Sequence, residues 1–266
     1  KYKQASAEVF EIFRQYTDQV EGLSLDEAYL DVTDIPSSVL ARDIAREIKQ
    51  KVFQKTGLTI SAGASFNKFL SKVASDWMKP NGLYVIPPAH RNLFMKDLEI
   101  KYLFGVGQKS REKLNSQKIF KCSDIQNRSL PELKRLFGSR YLDMYYMSHG
   151  IDFRRVSSEA ERKSFTCEET YNKDISDPLQ LMQTLSRVHQ EWQARFHKYK
   201  QKEGEDLLNI STLVVKVKYF DFKQTTHECR FRGDLSFPRF QQLLEHILLK
   251  RTEPIRLLGL GVRLGK

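Results

Sequence analysis

Ser24-Leu25-Asp26-Glu27-Ala28-Tyr29-Leu30-Asp31 is the stretch whose reading decides the fold. Before the acidic pair, Val20 to Leu25 is a short run rich in apolar residues. After it, Ala28 to Val32 alternates as a strand does. Asp26 and Glu27 therefore fall where two strands meet, at the tip of a β-hairpin. Crowding two carboxylates is costly unless a cation is present. A hard divalent ion answers that cost, because Mg²⁺ prefers carboxylate oxygens and keeps positions open for water and phosphate. An Asp-Glu pair taken alone is most often a plain polar turn, so the residues around it must decide.

Working outward, Ala5, Val9, Ile12, Phe13 and Tyr16 recur at helical spacing, which predicts an amphipathic helix over residues 4–17 leading into the hairpin. A second helix is expected from about Val39 to Lys55. Ser37 or Ser38 is its cap, Leu40, Ile44, Ile48 and Val52 its stripe, and Gly57 its end. Leu58 to Ser65 reads as a strand whose small Ala62, Gly63 and Ala64 let something approach the backbone. Asn67 caps a further helix with Leu70, Val73, Ala74 and Trp77 on its apolar face. Lys79-Pro80-Asn81-Gly82 stops that helix, and Leu83 to Ile86 is a strand. The order is helix, hairpin, helix, strand, helix, strand, that of a ferredoxin-like unit lacking its opening strand.

Pro87-Pro88 marks a boundary. Beyond it, Leu103-Phe104-Gly105-Val106-Gly107, followed by Lys109 and Lys113-Leu114, has the pattern of a helix-hairpin-helix. Its glycines free backbone N–H groups at a helix N-terminus, which binds a phosphate without reading the base. A tight turn between two helices is the plainer alternative. Residues 87–128 carry nine basic and four acidic side chains, which favours the phosphate reading. Ser129 caps another helix that begins at Pro131. Ile151 to Lys163 is polar and reads as a linker. Ser164 to Tyr171 is then a strand, and Asp177-Pro178 opens a helix with Leu181, Leu185, Val188, Trp192 and Phe196 on one face. Asn209 to Phe220 and Thr225 to Phe231 are neighbouring strands. Ser236-Phe237-Pro238 opens a helix bearing Phe240, Leu243, Leu244 and Ile247, and Ile255 to Leu264 closes the chain as a strand. This is a β-α-β-β-α-β order, that of a second, independent ferredoxin-like unit.

Composition bounds the partners. The 266 residues are 40% hydrophobic and 29% charged, which suits two or three globular domains. Lys and Arg number 44 against 33 Asp and Glu, a net charge of +11 that fits a polyanion. The excess is spread along the chain, so it belongs to folded surfaces. Cys122, Cys167 and Cys229 are far apart with no C-x-x-C pair, and the six histidines show no ligand spacing. No apolar run approaches the length of a membrane span, so no membrane partner is expected and the location is read as cytoplasmic.

The hairpin resembles the second carboxylate motif of the Y-family (translesion) DNA polymerases, S-[IL]-D-E-[AV]-[YF]-L-D, with every position matching. Asn67-Lys68 to Lys79-Pro80-Asn81-Gly82, the helix-hairpin-helix and the terminal unit follow in the order palm, thumb, little finger. The chain is similar over essentially its whole length to the DinB branch, the bacterial DNA polymerase IV type. The resemblance implies an α+β fold: a partial ferredoxin-like palm at 1–86, a helical thumb with its helix-hairpin-helix at 87–156, a linker at 157–164 and a β-α-β-β-α-β little finger at 165–266. It also implies DNA-directed DNA synthesis across damage, on primer-template DNA with deoxynucleoside triphosphates. Asp26 would be a ligand shared by two Mg²⁺ ions. Glu27 would be the catalytic carboxylate beside the primer 3′-hydroxyl, also on metal, and Lys79 would hold the incoming triphosphate. Gly105, Val106, Gly107 and Lys109 would bind DNA. Lys68 would touch the primer backbone or simply be solvated, Tyr29 would pack, and Asp31 would be structural.

The resemblance further implies a sliding-clamp partner, a nucleoid-associated location, a third metal-binding carboxylate on an opening strand, and a fingers domain. That strand, the fingers and a C-terminal clamp peptide are not in this sequence, so the chain as given is expected to be incomplete for activity. Two other functions fit parts of the pattern. One is a catalytically inert DNA-binding module. The other is a nucleotidyl cyclase, whose palm also carries a carboxylate hairpin.

Overall fold

Three clusters of buried apolar residues account for how the described part of the chain is built up. A computed structural model describes residues 1–36, 40–158, 162–204 and 209–265, with backbone only at 202 and 203. The chain divides into two compact units, Lys1–Ala160 and Glu161–Lys266. In the first unit, helix α1 (Tyr2–Phe13) lies against α2 (Ala41–Thr56), and Ile12, Ile44, Ile48 and Val52 are buried where they meet. The hairpin strands β1 (Val20–Gly22) and β2 (Ala28–Leu30) pair antiparallel with Val20 opposite Leu30, and Leu30 and Val32 rest on that helix pair. The i+4 stripe of α2 thus supports the base of the carboxylate hairpin. Gly57 closes α2 at φ 69°, the left-handed conformation that glycine adopts without strain. Ser37 and Ser38, expected as the cap of α2, lie outside the described residues. The cap position is Leu40, extended and without a side-chain hydrogen bond.

Strand β3 (Ala62–Ser65) runs parallel to β4 (Leu83–Ile86), joined by α3 (Lys68–Trp77). β3 is half the expected length, since its strand begins at Ala62 rather than Leu58. What its small residues admit is α3: a Cβ on Gly63 would sit 2.2 Å from both Ser71 O and Ser75 N. Asn67 caps α3, its side chain accepting from Leu70 N at 2.9 Å. Phe69, Leu70, Val73 and Ala74 are buried, but Trp77 is 43% exposed. Trp77 instead lies against Phe94 and Tyr102 at the edge of the core, with ring centroids 4.9 and 5.6 Å away.

The buried face of α3 and Ile86 continue into one cluster with Met95, Leu98, Ile100, Leu114, Ile125, Leu133 and Met144. These come from α4 (Arg91–Asp97), α5 (Gln108–Ser116), α6 (Cys122–Gln126), α7 (Leu130–Phe137) and α8 (Tyr141–Ser148), with the turn at Ile100–Tyr102. Ser129 and Glu132 form a reciprocal cap for α7, with Pro131 in its first turn.

The second unit packs α9 (Pro178–Glu203) and α10 (Phe237–Leu248) with the four strands β5 (Ser164–Ile175), β6 (Ile210–Tyr219), β7 (Gln224–Arg230) and β8 (Ile255–Leu264). Leu181, Leu185, Val188, Trp192 and Phe196 of α9 and Phe240, Leu243, Leu244 and Ile247 of α10 are all buried, as the spacing predicts. The element order is the expected one, but the pairing differs from a ferredoxin-like unit, which would set the first strand beside the third. Here the order is β5-β8-β6-β7, every neighbouring pair antiparallel. The glycines of β8 permit it. A Cβ on Gly261 would lie 2.2 Å from Phe165 O, and one on Gly259 2.8 Å from the Glu168 side chain.

Candidate active site

The hairpin tip is a short turn closed by Leu23 N donating to Glu27 O at 2.8 Å. Ser24 steadies it: its hydroxyl donates to Asp26 Oδ1 at 2.5 Å, and Asp26 N donates back to Ser24 Oγ at 3.3 Å. Asp26 is exposed, and Glu27 keeps 41% of its side-chain surface. Asp31 is structural, since its Oδ1 accepts from Thr33 N at 3.0 Å and from the Thr33 hydroxyl, turning the chain out of β2.

Helix α3 and the turn after it carry three charges in a line that starts at this tip. Lys72 Nζ donates to Glu27 Oε1 at 3.0 Å and to Asp76 Oδ2 at 3.0 Å. Lys79 Nζ reaches Asp76 Oδ1 at 2.6 Å. Burial alone would raise the Asp76 pKa, yet Lys79 and Lys72 outweigh it and hold the carboxyl below its ordinary value. Burial would likewise lower Lys72, but Asp76 and Glu27 carry it upward. Both groups are therefore charged at neutral pH. The turn after α3 is fixed from α2. Lys49 Nζ donates to Asn81 Oδ1 at 2.6 Å, Asn81 O at 3.0 Å and Ile60 O at 2.5 Å, while Asn81 holds φ 51° after the cis Lys79–Pro80 bond.

Lys68 is elsewhere than the sequence reading puts it. It is 8% exposed, and its ammonium donates to both Glu21 oxygens at 2.6 Å and to Arg155 O at 3.3 Å, 5.0 Å from the Tyr29 ring centroid. It is neither solvated nor open to a backbone phosphate, because Glu21, across from Tyr29 in the hairpin, takes its charge. Burial would raise the Glu21 pKa, but Lys68 and the Ser157 N–H at 2.9 Å bring it down. The same strap of chain satisfies the start of α3. Asp152 accepts from Phe69 N at 3.0 Å, and Asn67 donates to Gly150 O at 2.9 Å.

The helix-hairpin-helix turn forms from Gly105 at φ 84° and Gly107 at the N-cap of α5. Val106 N donates to Leu103 O at 3.0 Å. Arg140 closes the loop from behind, donating to Phe104 O at 3.0 Å, and a Cβ on Gly105 would lie 2.4 Å from its guanidinium. The first N–H groups of α5 lack partners within the helix, Lys109 and Arg111 are exposed near them, and Lys113 is exposed in the last turn.

Sequence reasoning missed Lys72, Asp76, Glu21, Ser24 and Lys49. Ser24 was visible only as the first position of the carboxylate motif, and Lys72 and Asp76 only as a helix face, since Lys72, Asp76 and Lys79 stand at i, i+4 and i+7. Among the described residues no group of three or more His, Cys, Asp or Glu side chains is arranged to hold a metal. The chemistry of the donor pair at the tip fits a hard divalent ion all the same: two accessible carboxylates, one held by a hydroxyl and the other met by Lys72 through Oε1.

Comparison with known proteins finds matches along most of the chain. Residues 1–76 match the impB/mucB/samB family, residues 101–152 the thumb domain of DNA polymerase-iota, and residues 162–264 the impB/mucB/samB C-terminal domain. A DNA polymerase IV of Marinomonas sp. (strain MWYL1) is 40% identical over the whole chain, which covers 74% of that protein. One from Francisella tularensis subsp. novicida (strain U112) is 42% identical with the same coverage. The solved structure of a Y-family DNA polymerase chimera, Dbh-Dpo4(243-245)-Dbh, superimposes with a TM-score of 0.85 at 25% identity, over 98% of this chain and 75% of that one.

Proposed function

The chain belongs to the DinB-type branch of the Y-family DNA polymerases, and on that premise we propose that its carboxylate hairpin is the centre at which a DNA primer is extended. Its activity is DNA-directed DNA synthesis of the translesion type. The observation that carries the site assignment is the line Glu27, Lys72, Asp76, Lys79, which joins the hairpin tip to the turn after α3 through contacts of 3.0, 3.0 and 2.6 Å. One end supplies carboxylates and the other a cation, the two charge types that a nucleotidyl transfer needs on opposite sides of the reacting phosphate.

In this reading Asp26 and Glu27 would hold two Mg²⁺ ions, which lower the pKa of the attacking hydroxyl and neutralise the leaving pyrophosphate when bound. Ser24 keeps Asp26 turned toward the tip. Glu27 would be the catalytic carboxylate beside the primer 3′-hydroxyl, and Lys79 would orient the triphosphate. The turn at Gly105, Val106 and Gly107 would present the first N–H groups of α5 to a duplex phosphate, with Lys109 adding positive charge and no base being read, while the Val106 N–H stays on Leu103 O and shapes the turn. Lys68 has a different role from the one its sequence position implies: paired with Glu21, it fixes β1 against the start of α3.

Lys79→Ala in the full-length gene product tests the assignment by primer extension with Mg²⁺. The expected result is a raised KM for the nucleotide, some loss of kcat and unchanged duplex affinity. Unchanged kinetics would reduce Lys79 to a cation complementing the C-terminus of α3.

A further inference from the structure

The two inner members of the line, Lys72 and Asp76, have no part in the chemistry described so far. Asp76 is shared between two ammonium groups, Lys79 on Oδ1 at 2.6 Å and Lys72 on Oδ2 at 3.0 Å. If Lys79 is to meet a triphosphate, it must give up Asp76. How readily it does so depends on what Asp76 keeps. A carboxylate left with no cation competes hard for the departing lysine, whereas one that retains a second cation competes weakly. Lys72 is that second cation. It is anchored on the other side by Glu27, so it stays beside Asp76 when Lys79 leaves.

We propose that Lys72 is a positioning residue which, by neutralising Asp76, frees Lys79 to bind the incoming nucleotide. Asp76 is then the resting partner of Lys79. This rests on the nucleotidyl transfer reading above. Side-chain exposures of 34–52% for Asp76, Lys72 and Lys79 put these pairs in the screened regime, so the effect is modest.

The test is nucleotide affinity on a primer-template ended with a dideoxynucleotide, where no bond can form, using a deoxynucleoside triphosphate with Mg²⁺ and the full-length gene product. Lys72→Met is expected to weaken nucleotide binding about fivefold, the upper end of what a screened pair supports. Asp76→Asn alone is expected to bind the nucleotide as tightly as wild type or more tightly, because the competitor is gone. The double variant Lys72→Met/Asp76→Asn is expected to return to within about twofold of wild type, and Lys72→Arg to stay there throughout. Thermal unfolding of each variant accompanies the measurement, because misfolding caused by losing Lys72 would not be repaired by a second substitution at Asp76. A double variant as weak as Lys72→Met would show that Lys72 contacts phosphate itself and would overturn the proposal, as would unchanged affinity in Lys72→Met. A wild-type protein that binds no nucleotide on primed template would sink the polymerase assignment of this site first, a result distinct from either.

Discussion

Replacing Lys68 by Met asks most of the structure, because two readings of that residue predict opposite outcomes. Lys68 is 9% exposed and Glu21 18% exposed at their side chains, with 2.6 Å between ammonium and carboxylate. Removing one partner of so covered a pair leaves an uncompensated charge, which costs about 3–5 kcal/mol. Glu21 would retain the Ser157 N–H and some water, so the lower end, about 3 kcal/mol, is expected. For a unit of this size each kcal/mol lowers Tm by about 2–4 °C, which gives a drop of about 6–12 °C for the N-terminal unit. The double variant Lys68→Met/Glu21→Met should recover at least half of that, since replacing both partners by apolar side chains is often neutral. The assay is thermal unfolding of both variants beside duplex titrations at several salt concentrations. Because Lys68 is spent on Glu21, the salt slope should not change. A Tm within 2 °C of wild type together with a slope reduced by about one would refute the buried pair and restore Lys68 to the DNA backbone.

Other outcomes follow from single features. Lys109→Ala should weaken duplex binding by a similar factor on every sequence and reduce the salt slope by about one, whereas sequence-dependent weakening would contradict phosphate binding at Gly107. Burial pushes the Cys122 thiol up to about 12 and raises that of Cys167, so a thiol reagent at pH 7.5 should modify neither in the native protein, and only half-buried Cys229 should react. Two or three rapid additions per molecule would contradict that core. In the second unit burial works against ionisation of Asp221, but Arg251 and Lys223 prevail and bring its carboxyl down to about 2. A carboxyl depressed below its unfolded value of about 3.9 stabilises the fold above that value and loses the contribution as pH falls through about 2. Asp221→Asn should therefore lower the unit's stability at pH 7, with the difference shrinking between about pH 4 and 2; a difference that does not depend on pH would contradict it.

What could be read from the sequence was whatever repeats within one element. The α2 stripe, the Asn67 cap, the Gly57 stop and the apolar faces of α9 and α10 each depend on residues within a few positions of one another. Five-residue α6 and seven-residue α4 are too short for a helical period to register, and α8 has hydrophobic residues on several sides. The strand order of the second unit was hidden for another reason. Gly259 and Gly261 look like weak points in β8 until β5 is laid beside them, and only then do they become the positions that let it approach. The site divides the same way. Asp26, Glu27 and Lys79 belong to local motifs, but Lys68 meets Glu21 across 47 positions and Lys49 meets Asn81 across 32. No periodicity reports such pairs. Lys72 and Asp76 were visible as a helix face, yet without the hairpin beside it that face was indistinguishable from a solvated one.

The central claim is that the Asp26–Glu27 tip performs chemistry while other surfaces hold DNA. Glu27→Gln preserves size and hydrogen bonding but removes the charge, and the decisive measurement is its single-turnover rate of primer extension with Mg²⁺ in the full-length gene product, taken beside duplex affinity on the same sample. The account predicts a barrier raised by about 4–8 kcal/mol, a loss of several powers of ten, with duplex affinity within about twofold of wild type. Extension within about threefold of wild type would contradict it, and the hairpin would then be no more than a turn.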